Sequence, residues 1–247
     1  MAVSTVGLLH PGEMGAAVGA VLRAQGLRVV WASEGRSEET RARAESAGLE
    51  DVGSLSEVAR AEVVFSICPP HAALDVAGSL ESFGGVYVDA NAVSPATAAK
   101  VADVVDTFVD GGIVGSPPRE AGTTRLYLSG DEAPGVAELF AGSVLDARVV
   151  SNASAVKMAY AAWTKGTAAM LIAIRELARA EGVEETLLAE WELSLPELPE
   201  RHERAMRSAR AKGWRWVGEM EEIAATFEAA GLPGGFHRAA AEVYRSR

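Results

Sequence analysis

Val6-Gly7-Leu8-Leu9-His10-Pro11-Gly12-Glu13-Met14-Gly15-Ala16-Ala17-Val18 passes from an apolar segment through a glycine-containing turn into a small-residue amphipathic segment. The first part predicts a strand and the last part a helix. A dinucleotide pyrophosphate sits at such a junction. Gly12 lets the backbone approach the anion, Gly15 lets helix pack on strand, and the N–H groups of Glu13 and Met14 meet negative charge at the helix start. The G-x-G-x-x-G fingerprint is present as His10-x-Gly12-x-x-Gly15, with its first glycine lost. Pro11 holds His10 extended, so His10 either touches the pyrophosphate or only replaces that glycine.

The pattern continues beyond this turn. Leu27–Trp31, Glu62–Ile67, Gly85–Asp89 and Thr107–Asp110 are short β-branched and aromatic runs separated by Ala- and Glu-rich stretches, and Thr124–Leu128 alternates as a later strand. Ser94-Pro95 is a cap-and-proline start for a helix expected to continue through Val101–Val105. This alternation predicts an α/β fold, a Rossmann-type doubly wound parallel sheet with its ligand at the carboxyl ends of the strands. From Ser151 the sequence reads as long helices. The expected domains are therefore residues 1–150, a dinucleotide-binding Rossmann domain, and residues 151–247, a smaller all-helical domain for substrate and dimerisation. Leu193–Pro199 is the one clear break expected in the helical half.

Composition limits the functional classes. The chain has 247 residues, 49% of them hydrophobic, enough to bury a full core. A net charge of −11 argues against nucleic acid and anionic membranes as partners. No basic leader precedes the apolar start, since the first cation is Arg23, and no uncharged run approaches the roughly 18 residues of a spanning helix. A cytoplasmic protein is expected. The single Cys68 excludes an internal disulfide, and the four scattered histidines lack metal-ligand spacing.

Cofactor choice is expected at the end of the second strand, in Trp31-Ala32-Ser33-Glu34-Gly35-Arg36-Ser37. Arg36 can fork onto a 2′-phosphate with Ser33 and Ser37 donating hydrogen bonds, which favours NADP (NADPH) over NAD. Glu34 is the competing feature, able to hold ribose hydroxyls or to point into solvent; Ser37 also reads as a helix cap and Arg36 as a solvated turn residue. Cys68 at a strand end reads as a small buried hydrophobe rather than a nucleophile, with Pro69 and Pro70 shaping the adjacent cofactor loop. Asn91, after the Asp89 strand, either bonds nicotinamide or substrate or forms a turn. Arg201, Arg204, Arg207 and Arg210 read as a solvated helix face.

Ser151-Asn152 can cap a helix whose early part is apolar and small except for Lys157, Tyr160 and Thr164. At 100° per residue these three share one side. A lysine in such surroundings needs a reason: it either snorkels over the surface or is desolvated toward the working range of a general acid-base.

Gly12-Glu13-Met14-Gly15, Cys68-Pro69-Pro70, Asp89–Pro95, Asp110–Gly115 and Lys157 occur in an order that resembles the β-hydroxyacid dehydrogenase superfamily, which includes 3-hydroxyisobutyrate and 6-phosphogluconate dehydrogenases and, more distantly, imine reductases. Arg215–Glu222 and Gly231-Leu232-Pro233 look like the phosphogluconate dehydrogenase-like, NAD-binding, C-terminal-domain branch. The resemblance implies an NAD(P)-dependent reductase of small carbonyl compounds, a homodimer paired through its helical halves, with Lys157 as catalytic acid-base. It also implies a substrate loop at Asp110–Ser116. There Val114, beside Gly115, replaces a hydroxyl that would hold a substrate carboxylate, and Ala161 replaces an asparagine one turn beyond the lysine. These departures keep an imine or iminium reductase open, with Tyr160 as an auxiliary donor. They also leave open a non-catalytic nucleotide-binding or sensing protein.

Overall fold

A computed structural model describes residues 3–80 and 83–246. The chain divides into two compact units, up to Lys157 and from Met158 onward. The first unit holds the strands β1 (Thr5–Leu8), β2 (Arg28–Trp31), β3 (Glu50–Asp51), β4 (Val63–Ser66), β5 (Val86–Asp89), β6 (Thr107–Gly115), β7 (Thr124–Ser129) and β8 (Leu145–Val149). Its helices are α1 (Glu13–Ala24), α2 (Glu38–Ser46), α3 (Leu55–Val58), α4 (Ala73–Gly78), α5 (Pro95–Ala102) and α6 (Ala133–Glu138). The helix α7 (Ala153–Ala180) starts in this unit and continues into the second, which adds α8 (Glu184–Ser194), α9 (Leu198–Ala229) and α10 (Gly235–Arg245). Among the described residues no helix is long and apolar enough to cross a membrane.

All eight strands form one sheet in the order β3-β2-β1-β4-β5-β6-β7-β8. The first six run parallel, β7 turns antiparallel to β6, and β8 runs parallel to β7. The expected Rossmann architecture is thus present, with two reversed strands added at one edge. Side chains alternate along each strand between two cores. Val29, Trp31, Val63, Phe65 and Val88 join one cluster with Val18 and Leu22 of α1 and Val136 of α6. Val30, Val64 and Tyr87 join the other with Val58 of α3, Ala77 of α4 and Val101 of α5. Strand order reverses between β1 and β4, so a crevice opens beyond their carboxyl ends.

Three local expectations are corrected. The α5 helix ends at Ala102 rather than running to Val105, because the N–H of Val104 turns back to Val101 O in a tight last turn. Residues 110–115 are not a loop but the second half of β6, paired residue for residue with β7 from Asp110↔Ser129 to Gly115↔Thr124. The break at Leu193–Pro199 is joined by two others. Gly182 and Gly231 take positive φ of 70° and 72°, and Val183 N and Leu232 N close six-residue caps onto Ala178 O and Phe227 O.

The start of α7 is fastened to the sheet by one carboxylate. Asp110 Oδ2 accepts from Ser129 Oγ (3.0 Å) and from the backbone N–H of Ser154 (2.8 Å), while Oδ1 accepts from Ser154 Oγ. Ser129 Oγ in turn accepts from Ala153 N at 2.9 Å. An anion at a helix N-terminus satisfies orphan N–H groups and meets the positive end of the dipole. Gly112 makes the approach possible, because a Cβ there would lie 2.9 Å from both Ala153 O and Lys157 Cβ. Asn152 adds a cap, its Oδ1 accepting from Ala155 N at 2.8 Å.

In the second unit, Arg175 on α7 is buried and donates through Nε to Glu184 Oε1 (2.9 Å), and its Nη1 donates to His202 Nδ1 (3.0 Å). One guanidinium thereby ties α7, α8 and α9 together. Tyr244 of α10 donates to Lys165 O at 2.6 Å, and Lys165 pairs with the buried Glu219 of α9.

Removing the Asp110 carboxylate strands Ser154 N–H and two buried hydroxyls. Asp110→Ala is expected to cost about 2–4 kcal/mol and to lower the melting temperature by on the order of 5–10 °C in thermal denaturation. A melting point unchanged from wild type would show that α7 is anchored by other contacts.

Candidate active site

The carboxyl ends of β1, β2, β4 and β5 bring together most of the residues singled out from the sequence. The turn after β1 is tight: Gly12 N donates to His10 O at 2.8 Å. A Cβ at Gly15 would lie 2.2 Å from His10 O, so that position tolerates only glycine if the turn and α1 are to keep their spacing. A Cβ at Gly12 would meet nothing within 4 Å, leaving open space beside the backbone at the start of α1. Pro11 is buried, Met14 half-buried and Glu13 exposed.

Arg36 turns inward rather than lying in solvent. Its Nη2 donates to Leu9 O at 3.4 Å, and its Nε is buried without a hydrogen-bond partner. His10 Nδ1 is likewise buried without one. Burial, and then the nearby Arg36 cation, lower the His10 imidazole to about 4. Two nitrogens with unmet hydrogen-bonding capacity therefore sit at the sheet's switch point. The residues beside Arg36 divide their roles. Ser33 is buried, with its N–H on Asp51 Oδ1 (3.1 Å); Ser37 caps α2, its Oγ accepting from Thr40 N (3.3 Å); and Glu34 is exposed.

Two arginines that the sequence reading passed over complete this rim. Arg41 Nη2 donates to Ser33 O at 2.9 Å, and Arg43 Nη1 donates to Pro11 O at 3.4 Å. Both lie on α2, in its first and second turns. The only sequence sign of them was basic residues on a short helix directly after the cofactor-choosing segment.

Across the switch point, Asn91 is buried and braces β4 against β5. Its Oδ1 accepts from Cys68 N (2.5 Å) and its Nδ2 donates to Ser66 Oγ (3.1 Å), while its own N–H donates to Asp89 Oδ1 (2.9 Å). Burial pushes the Cys68 thiol up to about 11, which leaves no thiolate for nucleophilic work at neutral pH. Pro69 leads into Pro70, which opens a single 3₁₀ turn over Pro70–Ala72.

Lys157 stands one helical turn into α7 and is half-buried, with Nζ donating to Ile113 O on β6 at 2.7 Å. Val114 is buried in the sheet, and Gly115 ends β6 at a φ of 123°. Of the residues expected on the Lys157 stripe, Tyr160 and Thr164 belong to the second unit and are exposed. Thr164 Oγ1 donates to Tyr160 O of its own helix at 3.2 Å. A cavity of about 350 Å³ lies between Glu13 and the β6–β7 connection, lined by Ser116, Pro117, Arg119, Glu120 and Thr123. Nothing in the local pattern of that connection marked it as a cavity wall.

Residues 5–93 match the family described as NADP oxidoreductase coenzyme F420-dependent, and residues 178–246 match a domain of unknown function, DUF1932. An uncharacterized 28.5 kDa protein of Methanothermus fervidus is 32% identical over 162 residues, a match that spans 63% of this chain and 63% of that one. Among solved structures, a conserved protein of unknown function described as similar to 3-hydroxyacid dehydrogenases is 27% identical, with a TM-score of 0.70 over 98% of this chain and 96% of its own. A 3-hydroxyisobutyrate dehydrogenase of Salmonella typhimurium shares the fold at a TM-score of 0.72 and 17% identity, covering 98% and 93% of the two chains. An imine reductase of Streptomyces aurantiacus does so at 0.53 and 19%, covering 98% and 94%. Both halves of the chain are thus matched by family models, and along nearly its whole length the chain is similar in fold to 3-hydroxyacid dehydrogenase-like proteins.

Proposed function

We propose that the protein is an NADPH-preferring reductase of a small carbonyl compound, with Lys157 as the general acid-base. The observation that carries this reading is Lys157 itself. Its ammonium is held on Ile113 O by a helix that Asp110 fixes at its first turn. A lysine ammonium is a proton donor of the kind that carbonyl reduction needs, and this one is half-buried.

The residues round the switch point fit a nicotinamide dinucleotide. The open space at Gly12 admits a pyrophosphate beside the α1 N-terminus, and its oxygens are acceptors of the kind that the buried, partnerless His10 Nδ1 and Arg36 Nε lack. Arg36, with Arg41 and Arg43 close by, favours the additional phosphate of NADPH; the first matched family's description as an NADP oxidoreductase agrees with that choice. In this reading Ser33 and Ser37 line the same edge. Pro11, Glu13 and Met14 supply the turn, while Cys68, Pro69, Pro70 and Asn91 shape its far wall.

When bound, the cofactor supplies a hydride to the substrate's carbonyl carbon. The chain's own task is the proton. Lys157 Nζ donates it to the carbonyl oxygen in reduction and removes it from the hydroxyl in oxidation. Gly115 at the end of β6 and Tyr160 and Thr164 further along α7 are proposed substrate contacts. Val114 offers no hydroxyl for a substrate carboxylate, and this favours as a second reading the reduction of an imine or iminium, with Tyr160 assisting the proton transfer.

The helical unit is read as the dimerisation element. Trp163, Met170 and Leu177 recur every seven residues on α7 and are 65%, 50% and 62% exposed, a seam of the spacing that pairs helices. The wild type is expected to sediment as a dimer and Trp163→Glu as a monomer; a monomeric wild type at micromolar concentration overturns the pairing.

Lys157→Met is expected to slow hydride transfer by about 10²–10⁴-fold while NADPH fluorescence still reports binding. Unchanged turnover rules Lys157 out as the acid-base. Assaying small oxo-acids and other carbonyls beside cyclic imines separates the two readings, since the carbonyl reading predicts turnover of the former and the imine reading of the latter.

A further inference from the structure

We propose that His10 is a side-chain ligand of the nucleotide's phosphates and takes up a proton from solvent as the nucleotide binds. This rests on the nucleotide reading above and adds to it a residue that stands where the fingerprint has a glycine.

The backbone of this turn is short of free donors. Pro11 has no N–H, and the Gly12 N–H is already given to His10 O at 2.8 Å. A phosphate arriving at the start of α1 therefore finds fewer amides than three successive residues ordinarily offer. The shortage is matched by side-chain nitrogens. His10 Nδ1 and Arg36 Nε are both buried and both without a partner, and an anion is the ligand that satisfies two donors at once.

The protonation state follows from the surroundings. Arg36 approaches from the segment after β2, Arg43 reaches Pro11 O from α2, Glu13 opens α1, and Cys68 lies beyond β4. In the free protein, burial and Arg36 hold the imidazole neutral, at about 4. A pyrophosphate beside it reverses the sign of the local field: it neutralises Arg36 and favours imidazolium, with both ring nitrogens as donors. The His10 pKa is then higher in the complex than in the free protein. Nucleotide affinity rises as pH falls through the window between the two values, and the gain is absent above the upper one.

The test is an NMR titration of the histidine rings in the ¹⁵N-labelled full-length protein, free and saturated with NADP⁺. The His10 signal is assigned by its loss in His10→Gln, and His202 and His237 serve as references because burial in the second unit lowers both. The His10 midpoint is expected to move upward by roughly one pH unit or more on binding, with about tenfold tighter binding per unit across the window. Should His10→Gln not fold, Arg36→Gln provides an independent arm, since removing that cation raises the His10 midpoint in the free protein. NADP⁺ binding with an unmoved His10 midpoint overturns this proposal and leaves the nucleotide reading standing. No binding of NADP⁺, NADPH or NADH overturns both.

Discussion

The Asp110 carboxylate is the constraint on which the site depends. It closes β6 onto β7 through Ser129 and accepts the backbone N–H and the hydroxyl of Ser154 at the start of α7. Because a helix is stiff, fixing its first turn also fixes the residue one turn on, and that residue is Lys157. Gly111 and Gly112 are part of the same arrangement. A Cβ at Gly111 would lie 2.9 Å from Asp89 O, and one at Gly112 would collide with the start of α7. The two glycines thus set how closely β5, β6 and the helix can approach, and the charged group, the small residues and the lysine form one mechanical unit.

A second organising feature is positive charge at the carboxyl ends of β1 and β2 on a chain whose net charge is −11. Arg36, Arg41 and Arg43 each spend a hydrogen bond on a backbone carbonyl of the rim, at Leu9, Ser33 and Pro11. For Arg36 this bond places the guanidinium without neutralising it, as a carbonyl is a dipole and not a counter-ion, whereas Arg41 and Arg43 also pair with Glu38 (3.7 Å) and Glu39 (2.5 Å) on their own helix. An acidic surface with a confined basic rim discourages polyanions in general and still admits one small phosphorylated ligand. The partnerless nitrogens of His10 and Arg36 lie within that rim.

The sequence made the local parts of this fold legible and the distant ones illegible. Strand, turn and helix around Gly12 and Gly15 are set by neighbours in the chain, as are the caps at Ser37, Ser94 and Asn152, and all are present. The role of Asp110 was hidden because Ser154 is 44 residues away. The resemblance implied a loop at Asp110–Ser116, but the glycines of that stretch instead serve close packing within a strand. The β3 strand escaped notice as two exposed acidic residues whose strand character comes from pairing to β2, and β8 as a stretch whose alternation is only partial. Arg41 and Arg43 could not be assigned from spacing, since their targets are carbonyls of other segments brought near by the sheet.

Equilibrium titration of the wild-type protein with NADPH and NADH, read by nucleotide fluorescence, tests the central claim most directly. Tighter binding of NADPH is predicted, from the arginines that rim the crevice. Equal or tighter binding of NADH would assign the ribose to Glu34 and contradict the phosphate pocket, and binding of neither would contradict the reductase account as a whole.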